Sequence, residues 1–162
     1  MSLISFIKDA GEKLFGHKPA APAADPAALQ AQADAANAAA STAIANYINA
    51  QGLKVSDLDV AFDGATGTVS VAGEAADQAT REKVVLCCGN VNGVTQVDDS
   101  MTTAEPADES RWYTVVRGDT LSAIAKSQYG NANEYPKIFE ANKPMLTSPD
   151  KIYPGQVLRI PA

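Results

Sequence analysis

The hydrophobic positions change their period several times along the chain, and each change marks an element. Leu3, Ile4, Phe6, Ile7, Ala10, Leu14 and Phe15 fall on one side of a helical wheel, with Lys8, Asp9, Glu12 and Lys13 on the other. This predicts an amphipathic segment, weakened at Gly11, over residues 1–18. An isolated helix of that length is marginal in water, so the segment needs a surface to dock on. Residues 19–40 begin Pro- and Ala-rich, as a linker. Asp25 before Pro26 then starts a helix, and Ala27 to Ala40 favours helix while offering almost no apolar stripe. That helix is expected to be partly exposed and to run into the better patterned Ala43, Ile44, Tyr47 and Ile48, stopping at Gly52.

Leu58, Val60 and Phe62 alternate, Asp63 and Gly64 begin a turn, and Val69 and Val71 alternate again, which reads as a β-hairpin. Ala75 to Cys88 follows as a helix, with Ala79, Lys83, Val85 and Leu86 in or near its buried stripe and Gly89 at its end. After the loop Asn90 to Gly93, the residues Val94, Val97 and Met101 sketch a third strand. These elements delimit a first domain over 41–102. The polar, acidic stretch Thr102 to Ser110, with Pro106 inside it, reads as the connection to a second domain over 111–162. There, Tyr113 to Val116 is a short strand and Gly118 and Asp119 turn the chain. Asp119 or Thr120 caps a helix bearing Leu121, Ile124 and Ala125, which Gly130 ends. A second helix from Asn133 to Ala141 turns Ile138 and Phe139 inward, and Val157, Leu158 and Ile160 form the closing strand.

Composition narrows the function. A chain of 162 residues suits one or two small domains. The net charge of −6 leaves no basic surface to displace counterions from phosphates, which argues against a nucleic-acid partner. No apolar run approaches the ~20 residues of a membrane span. His17 is the sole histidine, so a Ser-His-Asp triad, a Cys-His dyad and a His-rich metal site are excluded. Phosphate-loop and EF-hand spacings are absent. Asp57, Asp59, Asp63, Asp98 and Asp99 are scattered over strands and turns and read as solvated surface. No enzyme is expected. Cys87 and Cys88 are adjacent and point in different directions on a helix, so they read as small apolar residues in a reducing compartment. The apolar run at the N-terminus is not preceded by positive charge and is cut short by Lys8 and Asp9, a poor signal peptide. A cytoplasmic monomer is the expectation.

Two family resemblances sharpen this. Tyr113, Val115, Gly118, Asp119, Thr120, Leu121, Ile124 and Ala125, then Asn142, then Ile152, Gly155, Gln156, Leu158, Ile160 and Pro161 resemble the LysM module. That resemblance implies a βααβ fold and a groove for N-acetylglucosamine-containing glycans, formed here by Gly118, Asp119 and Thr120 on one loop and Asp150, Ile152 and Tyr153 on the other. Val69, Val71 and Gly73, the helix behind them, and Val91, Gly93, Val94, Val97, Asp98 and Asp99 resemble the BON domain, with order αββαβ. The fold class expected is therefore α+β, two small domains in the order BON then LysM.

The whole arrangement, with the segment from Phe6 to Leu14 ahead of it, resembles the BON/LysM family of bacterial cytoplasmic potassium-binding proteins. The Ala-rich stretch from Pro19 to Ala40 departs from the shorter, more charged segment of that family. The resemblance implies a potassium ion held by main-chain carbonyls of Ile7, Ala10 and Glu12 in the N-terminal segment and of Gly89, Val91 and Val94 in the BON loop. It further implies a sensor or buffer that changes conformation on binding. Such a site is physically coherent, because carbonyl dipoles can replace the water shell of a large cation without an acidic cluster. Helix ends supply such carbonyls, and Gly11 and Gly89 each interrupt a helix. The alternative function is a peptidoglycan adaptor working through the LysM groove.

Overall fold

The computed structural model describes residues 25–105 and 107–162. The chain folds as α1 (Pro26–Ala50), β1 (Val55–Asp63), β2 (Thr68–Asp77), α2 (Gln78–Gly89), β3 (Gln96–Asp99) and β4 (Thr102–Glu105). It continues as β5 (Arg111–Thr114), α3 (Leu121–Tyr129), a 3₁₀ turn (Ala132–Glu134), α4 (Tyr135–Ala141) and β6 (Val157–Ile160). This is the expected α+β chain of two small domains.

Helix α1 starts as its sequence predicts, with the Asp25 carboxylate accepting from the Ala27 N–H at 3.1 Å and Pro26 in the first turn. Its Ala-rich first half is exposed. The second half is fastened to the hairpin by polar as well as apolar side chains. Asn37 Oδ1 accepts from Gly64 N at 3.0 Å and Ser41 Oγ from Phe62 N at 2.8 Å, and one turn further on Ile44 and Ile48 enter the core. The spacing 37, 41, 44, 48 is a single helix face. Its upper half reads as featureless in the sequence because Asn and Ser are not apolar.

Strands β1 and β2 pair antiparallel, with a bulge where Asp57 and Leu58 stand opposite Gly73. Asp57 takes a φ of 51°, and a Cβ on Gly73 would lie 2.9 Å from the Ser56 carbonyl oxygen, so glycine is required there. Strands β3 and β4 both run parallel to β2 in one register, Thr68 opposite Gln96 and Glu74 opposite Thr102. They are one strand in two pieces, broken at Ser100 and Met101. The stretch Thr102 to Ser110 therefore begins as sheet and not as linker: alternation is hard to see in Thr-Thr-Ala-Glu because a strand at a sheet edge buries little. The first core gathers Ile44, Ile48, Val69, Val71, Ala75, Val84, Cys87, Cys88 and Met101. Both cysteines are unbridged, and burial pushes each thiol up to about 12, so they stay protonated and act as apolar filling.

In the second domain, β5 and β6 pair antiparallel, Tyr113 opposite Leu158. Thr120, not Asp119, caps α3, its Oγ1 accepting from Ala123 N at 3.1 Å, and Gly130 ends that helix at a φ of 80°. Val115, Leu121, Ile124, Ala125, Ile138, Leu146, Leu158 and Ile160 form the second core.

The domains meet along α2 and β6. Gln78, Glu82 and Leu86 lie one turn apart on α2 and are all buried, facing away from the first core. The expected stripe of Ala79, Lys83 and Val85 is only half-buried, because α2 is covered on two sides and its second buried row is partly polar. Glu82 forms an ion pair with Arg159 of β6 and accepts hydrogen bonds from Ser110 N at 2.7 Å and Gln78 Nε2 at 3.0 Å.

Candidate functional site

The loop that follows α2 is the first candidate. Gly89 is the last residue of the helix and Asn90 caps it, its N–H directed at the Leu86 and Cys88 carbonyls. Val91 N donates to Cys88 O at 3.2 Å and Val94 N to Val91 O at 3.1 Å, so the chain curls through Asn92 and Gly93, the latter at a φ of 90°. Val91 and Val94 turn their side chains onto the first core. Among the described residues, no donor is bonded to the carbonyl oxygens of Gly89, Gly93 or Val94, whereas that of Val91 already accepts one hydrogen bond. The loop thus holds uncharged carbonyl oxygens that no described donor occupies. Ile7, Ala10 and Glu12 lie outside the described residues. Among the described residues, no group of three or more His, Cys, Asp or Glu side chains is placed to hold a metal.

The loop rests on the turn between β1 and β2. Thr95 N donates to Gly67 O at 2.8 Å, and Thr95 Oγ1 donates to Thr66 O at 3.0 Å. Gly67 has a φ of 68°, and a Cβ there would lie 2.9 Å from both the Gly93 carbonyl oxygen and Thr95 Oγ1. Gly67→Ala is therefore expected to cost ~1–3 kcal/mol through left-handed backbone strain and close contact. It should also displace the amide resonances of Gly93 to Gln96, as read by chemical denaturation and a two-dimensional amide spectrum. Unchanged loop resonances would show that the turn does not hold the loop.

The six residues expected on the LysM groove separate in character. Gly118 makes its turn at a φ of 92°. The Asp119 carboxylate accepts from Tyr113 Oη at 2.8 Å and from Val116 N at 2.9 Å, and Thr120 is the helix cap. Both polar side chains are thus bonded within their own domain. Ile152 packs on the second core, Asp150 is exposed and Tyr153 is 43% exposed.

A cleft of about 510 Å³ opens between the domains. Tyr47, Cys87, Val91 and Asn92 line one wall, and Met145, Lys151 and Tyr153 the other. It brings Val91, from the ion-loop expectation, and Tyr153, from the glycan expectation, onto one space. Burial, then the neighbouring Cys87 and Tyr153, push the Tyr47 phenol up to about 12. Burial also raises the Tyr153 phenol.

Sequence reasoning missed Asn90, Glu82 and Arg159. Asn90 Oδ1 accepts from Val157 N at 2.9 Å and its Nδ2 donates to Val157 O at 3.0 Å, bracketing one residue of β6. The available signal was the row Gln78, Glu82, Leu86, Asn90 at four-residue intervals, a second helix face that a single-domain reading leaves to solvent.

The BON domain family model matches residues 36–105 and the LysM domain family model residues 113–161. The chain is 48% identical over 161 residues to "Potassium binding protein Kbp" of Escherichia coli O6:H1, covering 99% of each protein. The chain belongs to the BON/LysM family. A second relative of this BON/LysM protein, an uncharacterized protein of Deinococcus radiodurans, is 40% identical over 75 residues, which is 44% of the chain and 29% of that relative. Among the described residues of the BON/LysM protein, no helix is long and apolar enough to cross a membrane.

Proposed function

We propose that this chain is a potassium-binding protein, a cytoplasmic monomer that senses or buffers the ion and has no catalytic role. The observation that carries the reading is the near full-length identity to a protein named for potassium binding. The carbonyls of Gly89 and Val94, to which no described donor is bonded, are consistent with it, since neutral oxygen dipoles suit a large cation. On this reading Gly89, Val91 and Val94 supply one side of the shell and Ile7, Ala10 and Glu12 the other. The ion then bridges the N-terminal segment to the BON domain, and binding favours the bridged form because only that form completes the shell.

The test is a titration of the full chain with KCl and NaCl at matched ionic strength, followed by backbone amide shifts. Saturable shifts with potassium alone at Ile7 to Glu12 and Gly89 to Val94 are expected, and removal of residues 1–16 should abolish them. Identical, non-saturating responses to both salts would reject the reading. The LysM match over residues 113–161 and the exposed Tyr153 favour a second reading, binding of an N-acetylglucosamine-containing glycan. Shifts at Gly118 to Thr120 and Asp150 to Tyr153 on adding chito-oligosaccharides would support it.

A further inference from the structure

We infer that Asn90 is the residue through which the state of the ion loop is transmitted to the LysM domain, an inference that rests on the potassium reading above. The first ground is position. Asn90 stands between Gly89 and Val91, two of the residues whose carbonyls are assigned to the ion, and its own N–H caps α2. Any rotation of the peptide planes on either side of it to meet a cation moves its Cα and side chain.

The second ground is what the side chain holds. Its amide donates to Val157 O at 3.0 Å and accepts from Val157 N at 2.9 Å, across the domain boundary. This pair of bonds copies what a neighbouring strand would make, on the side of β6 that faces away from β5. Arg159, two residues on, turns its N–H and C=O the same way, and Asn142 brackets them with its own amide at 2.8 Å for each bond. One edge of β6 is thus closed by two asparagines, one from the LysM domain itself and one from the ion loop. The third ground is that β6 is held to α2 at a second point, by Arg159 on Glu82. With that pivot fixed, a displacement of Asn90 turns β6 and does not merely stretch the contact. Asn90 is a positioning residue here: it touches no ion, and it acts through the backbone on either side of it.

The test uses the full chain labelled with ¹⁵N, as wild type, Asn90→Ala and Asn90→Asp, titrated with KCl and with NaCl at matched ionic strength. In the wild type, the amides of Gly93 and Val94 and those of Val157 and Arg159 should saturate together with potassium. In Asn90→Ala the loop amides should still respond, with affinity weakened several-fold, while Val157 and Arg159 fall silent. Asn90→Asp keeps the acceptor for Val157 N but loses the donor to the Val157 carbonyl, so its Val157 and Arg159 responses should lie between those of the wild type and Asn90→Ala. Hydrogen exchange in the wild type gives a readout independent of any variant. Potassium should slow exchange at Val157, which bonds to Asn90, and leave Leu158, which faces Tyr113 across the sheet, unchanged. A loop silent to potassium in the wild type would overturn the potassium reading and this inference with it. A responsive loop with unmoved Val157, an Asn90→Ala protein that keeps the Val157 response, or equal exchange at Val157 with and without the ion would overturn the coupling alone.

Discussion

Arg159→Ala is expected to lower stability by about 3 kcal/mol and to split one unfolding transition into two, because it strands the buried Glu82 carboxylate at the domain boundary. Glu82 is 4% exposed in the wild type, so the lost guanidinium leaves its carboxylate poorly solvated. The Ser110 N–H and the Gln78 amide remain, but they come from neutral groups. Replacing both partners, as Glu82→Leu with Arg159→Leu, should cost much less than the single change, since no buried charge is left behind. Urea unfolding of the wild type, the single variant and the double variant checks this, and a single-variant loss under 1 kcal/mol would show that the pair contributes nothing. The pH dependence has a definite sign. Burial pushes the Glu82 carboxyl up, yet Arg159, Ser110 N–H and Gln78 together hold it below its ordinary value. The stabilisation is complete above the ordinary carboxylate range of ~4.3. It is lost as pH falls through the depressed folded value, because the unfolded chain takes up the proton first. Arg159→Ala should show a smaller loss on acidification than the wild type.

Asn142→Ala is the second large effect. Asn142 is 1% exposed, donates to Ile138 O at 2.7 Å and Arg159 O at 2.8 Å, and accepts from Arg159 N at 2.8 Å. Alanine leaves both backbone groups of a half-buried residue and the end of α4 without those partners, each at a cost of ~1–3 kcal/mol. A total on the order of 3 kcal/mol is expected, confined to the LysM domain. Heating should then melt the resonances of Leu158 and Ile160 well before those of Val69 and Val71. Simultaneous melting of both sets at the wild-type temperature would refute this assignment. Asn142→Asp retains the acceptor for Arg159 N but loses both donors, and should lie between the two.

The helix start at Asp25, the start at Asp119 or Thr120 that the structure gives to Thr120, the stops at Gly52 and Gly130, and the hairpin around Asp63 and Gly64 were legible in the sequence, because each rests on local chemistry of a few neighbouring residues. What was hidden depends on residues far apart. Asn37 and Ser41 read as inert members of an Ala-rich run until the hairpin turn is seen beside them. Thr102 to Glu105 reads as linker because its pairing partner lies nearly thirty residues upstream. The contacts of Glu82 and Asn90 are hidden because nothing in a helical pattern announces that a second domain will cover its polar side. In the candidate site, the sequence places the glycine that ends α2 and the one that curls the loop. It does not disclose that Gly67, on another turn, bears on the same peptide groups.

The boundary between the two modules is made from a buried ion pair and an uncharged amide bracket. Mobile ions screen exposed charges over about 10 Å at 0.1 M salt, but they act weakly on a pair as little exposed as Arg159 and Glu82. A rise in total salt therefore leaves this boundary nearly untouched. On the proposed potassium reading such a joint separates a response to one cation from a response to ionic strength, since an interface of surface charges would loosen as total salt rises.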